Sequence, residues 1–351
     1  MTTLKLEIPT LREAVRKRPG MYFGDVHDKG GVFHLVLDVI ANALDLALGG
    51  RCTRIDVEFG DDDSVTVSDD GPGIPVARDK GPSLIEILEH RDEWPTVDGH
   101  RPHVHLGLGA IGLAVVNAAS ESFELVTVCD GQRATARYSR GIAVQPLVVE
   151  PTTQPTGTRV RVRPDPQIFT VTRIPREDLG ARILDLSFLM PQVRLSWTGS
   201  APRFGQGLVD LVRLYARTTL GGIAHRRQEV ETEAGPIDVE VVLAWCDDSR
   251  AATCIHGFVN MERTREPGTH GEGLLDGVRG FFPRKGAAAR REGLMAAVAV
   301  ILSDVKWGSP VKDKLVTPEA RAAVKQVTMA ALRAWAAAYP EAAAIIRARG
   351  L

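Results

Sequence analysis

The stretch VFHLVLDVIANALDLALGG, Val32 to Gly50, decides how this chain of 351 residues is read. Apolar residues fall at 32, 36, 39, 40, 43, 44 and 47, the spacing of a helix that buries one broad face, and Gly49-Gly50 supplies an ordinary C-terminal stop. Three polar side chains interrupt that pattern, Asp38, Asn42 and Asp45, and spacings of four and three put them on one face. Alone, such a stripe reads as a solvated helix face. The segments that follow change the reading.

Arg54 to Phe59 and Ser64 to Ser68 alternate as an antiparallel hairpin around the acidic turn Gly60 to Asp63. DDGPGIP, Asp69 to Pro75, leaves the second strand directly. A plain turn needs one or two Gly or Asp residues. Two acids, two glycines and then Ile74-Pro75 describe backbone held close to a ligand. Ser83 to Leu88 reads as helix, and Glu89 to His105, broken by Pro95, Gly99 and Pro102, as a loop long enough to be functional. GLGAIG, Gly107 to Gly112, precedes the helical AVVNAAS, so exposed amides and a helix N-terminus can face an anion. A second hairpin, Phe123 to Cys129 with Arg133 to Tyr138, turns at Asp130-Gly131, and the strand Thr158 to Arg163 closes a helix-plus-antiparallel-sheet domain near residue 200. One glycine-rich loop is a weak signal; three elements in this order are a strong one.

The length corresponds to about two domains, and the boundary falls near residue 205, giving units 1–205 and 206–351. Past it the pattern restarts with a helix, strands Ile237 to Trp245 and Thr253 to Val259, two more helices, the apolar strand Leu294 to Ser303 and an Ala-rich helix Pro318 to Ala338. With 43 Lys+Arg against 44 Asp+Glu the net charge is −1, so no global field recruits DNA or an acidic membrane, and any nucleic-acid contact must be a local patch. No apolar run reads as the roughly 20 residues of a membrane span. The N-terminus MTTLKLEIPT carries no export or transit pattern, which makes cytoplasm the expected location. Cys52, Cys129, Cys246 and Cys254 are widely spaced, as expected of reduced, packed thiols.

On these motifs the chain resembles the GHKL ATPase superfamily, and within it the ATPase half of gyrase B and topoisomerase IV type subunits. REAVRKRPGMYFGD, Arg12 to Asp25, is similar to that family's opening signature, DDGPGIP to its adenine loop and GLGAIGLAVVNA to its phosphate loop. FVNMERTREPGTH, REGLMAAVAV and VKDKLVTPEARAAV resemble its transducer domain. The resemblance implies an α+β fold, a Bergerat helix and antiparallel-sheet sandwich followed by a ribosomal-S5-domain-2-like transducer. It also implies ATP and Mg²⁺ as cofactors. Asn42 would hold Mg²⁺, a hard ion suited to an oxygen ligand; Asp69 would accept the adenine amine with help from Thr158; Gly73, Ile74 and Pro75 would border the base. The backbone of Gly107, Leu108, Gly109, Ile111 and Gly112 would wrap the phosphates, and Lys312 would reach the γ-phosphate from the second domain.

The general base departs from the family's usual Glu: this chain has Asp38, roughly 1.5 Å shorter. A misplacement near 1 Å costs on the order of a hundredfold in rate, so a slow ATPase is expected, with His34 orienting the acid from one turn earlier. Leu46 and Pro72 replace a Glu and an Arg that pair in the family, leaving no orphan charge, Ala110 replaces a phosphate-loop glycine, and Pro310 replaces a Gln. No tyrosine precedes Tyr22 in the N-terminal arm. His100, His103 and His105 sit on a proline-broken run without an acidic or cysteine companion, which argues against a zinc site, and the resemblance implies that this run is the lid over ATP. Arg284, Lys285, Arg290 and Arg291 form a basic run that is a solvated face by default and a candidate for DNA phosphate contacts in the transducer context. The resemblance implies a homodimer on ATP binding, DNA and a separate cleavage subunit as partners, and no membrane. No EGDSA-like or DxD acidic cluster of the metal-binding strand-passage domain and no candidate tyrosine-bearing cleavage domain is found, so this chain by itself is not expected to cut DNA. Two functions follow: the ATP-driven clamp of a topoisomerase, or a stand-alone gyrase-B-like binding protein with little turnover.

Overall fold

The computed structural model describes residues 10–77, 83–90, 112–216, 218–248, 252–282, 292–309 and 313–349. The chain divides into two compact units, the first comprising 1–187 with 192–203 and the second 188–191 with 204–351.

The first unit opens with α1 (Leu11–Lys17), whose N-terminus is closed by a reciprocal Thr10–Glu13 capping box, followed by α2 (Gly20–Phe23) and the long α3 (Lys29–Leu48). Then come β1 (Arg54–Phe59), β2 (Val65–Asp69), α4 (Leu84–Glu89), α5 (Leu113–Ala119), β3 (Ser120–Cys129), β4 (Gln132–Ser139), β5 (Ile142–Ala143), β6 (Val148–Pro151), β7 (Gly157–Pro164), α6 (Arg176–Leu189) and β8 (Arg194–Trp197). The sheet runs β5-β4-β3-β7-β2-β1-β8, with β6 also on β4. Both expected hairpins are present, and Asp130 (φ 51°) and Gly131 (φ 71°) make the two-residue turn between β3 and β4. β8 pairs in parallel with β1, a non-local pairing that four residues of RLSW do not announce.

Helix α3 packs on β2, β7 and α5. Contrary to the expectation from apolar runs, it is long and apolar enough to pass for a membrane span, with mean hydropathy 1.7, but 67% of that window is buried inside the molecule. It is a core helix covered on most of its circumference, which explains an apolar content beyond one face.

The second unit contains α7 (Leu208–Tyr215), β9 (Ala224–Val230), β10 (Ile237–Trp245), β11 (Cys254–Val259), β12 (Glu262–Thr264), α8 (Gly268–Phe281), β13 (Leu294–Ile301), α9 (Pro318–Ala338) and α10 (Pro340–Ala348). Its sheet runs β12-β11-β13-β10-β9, with β11 and β13 parallel. Trp245, Val239, Val241 and Leu243 of β10 face a core shared with α8 and α9, and Gly277 lets those helices close, since a Cβ there would lie 2.6 Å from Thr328 Cβ. The sequence reading missed β9, whose polar run AHRRQEV belongs to an edge strand, and the second of the two helices expected before β13 has no counterpart among the described residues. The four cysteines are free, and burial pushes the Cys52 thiol up to about 12, consistent with a structural role.

Candidate functional site

The stripe on α3 comprises His34, Asp38, Asn42 and Asp45, which helical geometry gathers within about 80° of the circumference. Asp38 is only 6% exposed, and His34, Asn42 and Asp45 are half-buried, so this is not the solvated face that the spacing alone suggested. A carboxylate on the buried side of a core helix carries a desolvation cost that ordinary surface patterning does not impose.

Across from this helix, β2 ends at Asp69, directly paired with Thr158 of β7. Burial pushes the Asp69 carboxyl up to about 6, against the lowering effect of backbone N–H groups of Gly71 and Thr158. The Thr158 hydroxyl is buried and has no hydrogen-bond partner among the described residues. Asp70, the next residue, faces a different environment. Its partial burial is outweighed by hydrogen bonds from the Thr53 hydroxyl (2.6 Å) and the Thr53 and Arg54 backbone N–H groups (2.8 Å each), which bring its pKa down to about 2. Thus one acid of the tandem fastens β1 to the loop and the other is left with an ionisable face.

The loop after Asp69 lies close over the strand ends. Ile74 N–H donates to Thr127 Oγ1 of β3 at 2.7 Å, Gly73 adopts φ 77°, and a Cβ on Gly73 would collide with the Val128 carbonyl. Leu46 of α3 fills the space beside Gly71, where a Cβ would come within 2.9 Å of its Cδ1. This apolar contact occupies the neighbourhood in which the resemblance implied a Glu–Arg pair.

Gly112 (φ 79°) begins α5, which is buried along its whole length. Its far end is held by Arg16, whose Nη1 donates to the Ala118 carbonyl at 3.1 Å, and by Asp165 N–H on the Ala119 carbonyl at 3.2 Å. Asp165 is fully buried and ion-paired with Arg16 (2.8 Å) and Arg140 (3.1 Å). Sequence reasoning used Arg12 to Asp25 only as a signature; its structural task is to clamp α5, and Arg12 and Arg16, one helical turn apart, were the legible sign of it.

The expected phosphate-loop residues Gly107, Leu108, Gly109 and Ile111, the lid histidines His100, His103 and His105, Lys312, and the basic run Arg284, Lys285, Arg290 and Arg291 lie outside the described residues. Asn42, Asp69, Gly73, Ile74, Pro75, Gly112 and Thr158 all belong to the first unit. A half-buried carboxylate paired with a buried hydroxyl that has no partner among the described residues fits a base that both donates and accepts, as adenine does. No group of three or more His, Cys, Asp or Glu able to hold a metal occurs among the described residues, so a Mg²⁺ here would depend on Asn42 and on oxygens of the nucleotide.

Comparison with known proteins identifies the two segments of the chain. Residues 27–168 match the family described as Histidine kinase-, DNA gyrase B-, and HSP90-like ATPase, and residues 207–350 match DNA gyrase B. The DNA gyrase B protein of Thermotoga maritima is 32% identical over 357 residues, covering 94% of this chain and 56% of that protein. The chloroplastic/mitochondrial DNA gyrase B protein of Oryza sativa subsp. japonica is 30% identical over 373 residues, 97% of this chain and 51% of that protein. The chain therefore spans about half the length of the curated relatives it matches. The 43K ATPase domain of Thermus thermophilus gyrase B, solved with an aminocoumarin, superposes with a TM-score of 0.78 at 28% identity, covering 95% of this chain and 92% of that one. The helix-over-sheet unit and the unit that follows it are thus the expected α+β architecture. With the two models matched in order, residues 27–168 are of the histidine kinase-, DNA gyrase B- and HSP90-like ATPase family and residues 207–350 of the DNA gyrase B family, the arrangement of a GHKL ATPase of gyrase B type.

Proposed function

We propose that the first unit binds Mg-ATP and hydrolyses it slowly, as the motor of an ATP-driven dimer clamp that serves a topoisomerase whose cleavage centre is on a separate polypeptide. The observation that carries the reading is the pairing of Asp69 with Thr158, a carboxylate that can accept an adenine amine beside a hydroxyl without a partner among the described residues. Asn42 would supply an amide oxygen to the metal, and Gly112 places a backbone amide at the start of α5. Bound Mg²⁺ would offset the triphosphate charge. Asp38 takes the proton of the attacking water, and His34, one turn before it, orients the carboxylate. In the same reading Lys312 senses the γ-phosphate, Arg284, Lys285, Arg290 and Arg291 contact DNA phosphates, and the protein works in the cytoplasm, where free cysteines such as these persist.

A second reading, a gyrase-B-like binding protein with little turnover, is favoured by the shorter acid at Asp38. Steady-state ATP turnover of the wild type beside Asp38→Ala and Asp38→Glu separates the two. The first reading expects Asp38→Ala to fall at least about tenfold below wild type and Asp38→Glu to exceed it. Equal rates for wild type and Asp38→Ala would remove the catalytic role. DNA stimulation of turnover and dimer mass with a non-hydrolysable ATP analogue test the clamp.

A further inference from the structure

The second unit contains a cleft, about 620 Å³ in volume, that none of the roles above uses. It lies where α7, the loop after it, the start of β9 and the α9–α10 junction meet, and its size is that of a small-molecule site. Arg213 projects from α7, with Nη1 held by Gln206 Oε1 and, at 3.4 Å, by Asp210 Oδ1. Those bonds fix the guanidinium while it remains half exposed. His225 also lines the cleft, its Nε2 3.0 Å from Glu240 Oε1, and Thr219 contributes a hydroxyl whose hydrogen is used on the Gly221 carbonyl, so it presents lone pairs. Among the described residues, none bearing a carboxylate is itself part of the lining.

Tyr339 supplies an aromatic wall. Its ring rests beside Trp335, centroids 6.3 Å apart, and the side chain is 42% exposed. Gly221 and Gly222 make its seat: a Cβ on Gly221 would lie 3.1 Å from Tyr339 Cγ, and one on Gly222 would overlap the phenol. Trp335 Nε1 donates to the Gly222 carbonyl at 2.7 Å, tying that seat to α9. The ring is therefore fixed before any ligand arrives, which lowers the ordering cost of stacking on it.

From a fixed aromatic ring, a guanidinium and an imidazole around one cleft, we propose that it binds a nucleoside phosphate, the base against Tyr339 and the phosphate on Arg213 and His225. The same chemistry is presented by a free nucleotide and by a single strand of nucleic acid. Its lining lies wholly in the second unit and shares no residue with the Asp69–Thr158 pair, and the proposal does not rest on the Mg-ATP reading.

The test uses the full chain carrying Asp69→Asn, so that the first unit does not compete, with thymidine monophosphate and an oligothymidylate of about a dozen nucleotides as probes. Binding is followed by calorimetry and by the salt dependence of Kd. Tyr339→Leu and Arg213→Gln are each expected to weaken binding about tenfold, Tyr339→Phe to retain it, and Arg213→Gln to lower the salt slope for the oligonucleotide by about one. Gln206→Glu, an exposed change that sets a carboxylate beside Arg213, should also weaken both probes and keeps the test sound if Tyr339→Leu unfolds. Monophosphate binding that responds to these variants assigns a free nucleotide, and a response confined to the oligonucleotide assigns a strand. Absence of binding at millimolar probe, or affinities unchanged in Arg213→Gln and Gln206→Glu, overturns the proposal.

Discussion

Asp69 and Asp70 adjoin in sequence, but burial raises the pKa of one to about 6 and hydrogen bonding brings the other to about 2. Between pH 4 and 6 an unfolded chain has already lost the Asp69 proton that the folded chain retains. The stability contributed by Asp69 is therefore fully present below its unfolded value and is lost as pH rises through about 6. Ionised Asp69 is the form that accepts an amine, so affinity for an adenine nucleotide should move the opposite way, falling about tenfold per pH unit below 6. Melting curves and calorimetry on wild type and Asp69→Asn from about pH 4.5 to about pH 7.5, which brackets the folded value, check both. Asp69→Asn should flatten the stability profile and abolish adenine binding. Asp70→Ala should instead lose about 1–2 kcal/mol of stability, a loss moderated by solvent screening, since three hydrogen bonds fasten it to Thr53 and Arg54. Urea unfolding at neutral pH measures that loss. The resemblance singled out Asp69 from the tandem of acids, but that Asp70 is tied down by Thr53 and Arg54 depended on strand β1 arriving beside it.

At the scale of elements, the DDGPGIP loop and the α1 clamp are the parts that position the site. Gly73→Ala would add a Cβ at positive φ and against the Val128 carbonyl, with an expected cost of at least about 2 kcal/mol and a loss of nucleotide affinity. A variant that melts and binds as wild type does would contradict the loop's close approach. Asp165→Ala leaves Arg16 and Arg140 without their shared buried partner and should destabilise by about 3 kcal/mol in urea unfolding. Helix α3 was readable from its periodicity, as were both hairpins, because each follows from the geometry of a few adjacent residues. Strand β8 was not, since the strand it pairs with is β1, some 140 residues away in the Ser196–Asp56 hydrogen bond.

In the whole molecule, each unit has its own sheet and core, so a ligand of the first should stabilise that unit. A non-hydrolysable ATP analogue at about 100 times its Kd should add ~2.7 kcal/mol to unfolding of the first unit, read from hydrogen exchange of α3 and β7 amides. No added protection at α3 would contradict nucleotide binding there. By itself the sequence determined the locally encoded parts: α3 with its polar stripe, the hairpins, the turn at Asp130-Gly131 and the closely held backbone of the DDGPGIP loop. Backbone periodicity and the φ preferences of glycine act over a few residues and need no distant partner. Only the tertiary structure decided that Asp38 is buried, that Asp70 is fastened to Thr53 and Arg54, that Arg16 clamps α5 through Asp165, and that Tyr339 lies against Gly222. Those outcomes depend on which remote segments displace water from one another, and burial and electrostatic environment exist only after they have met.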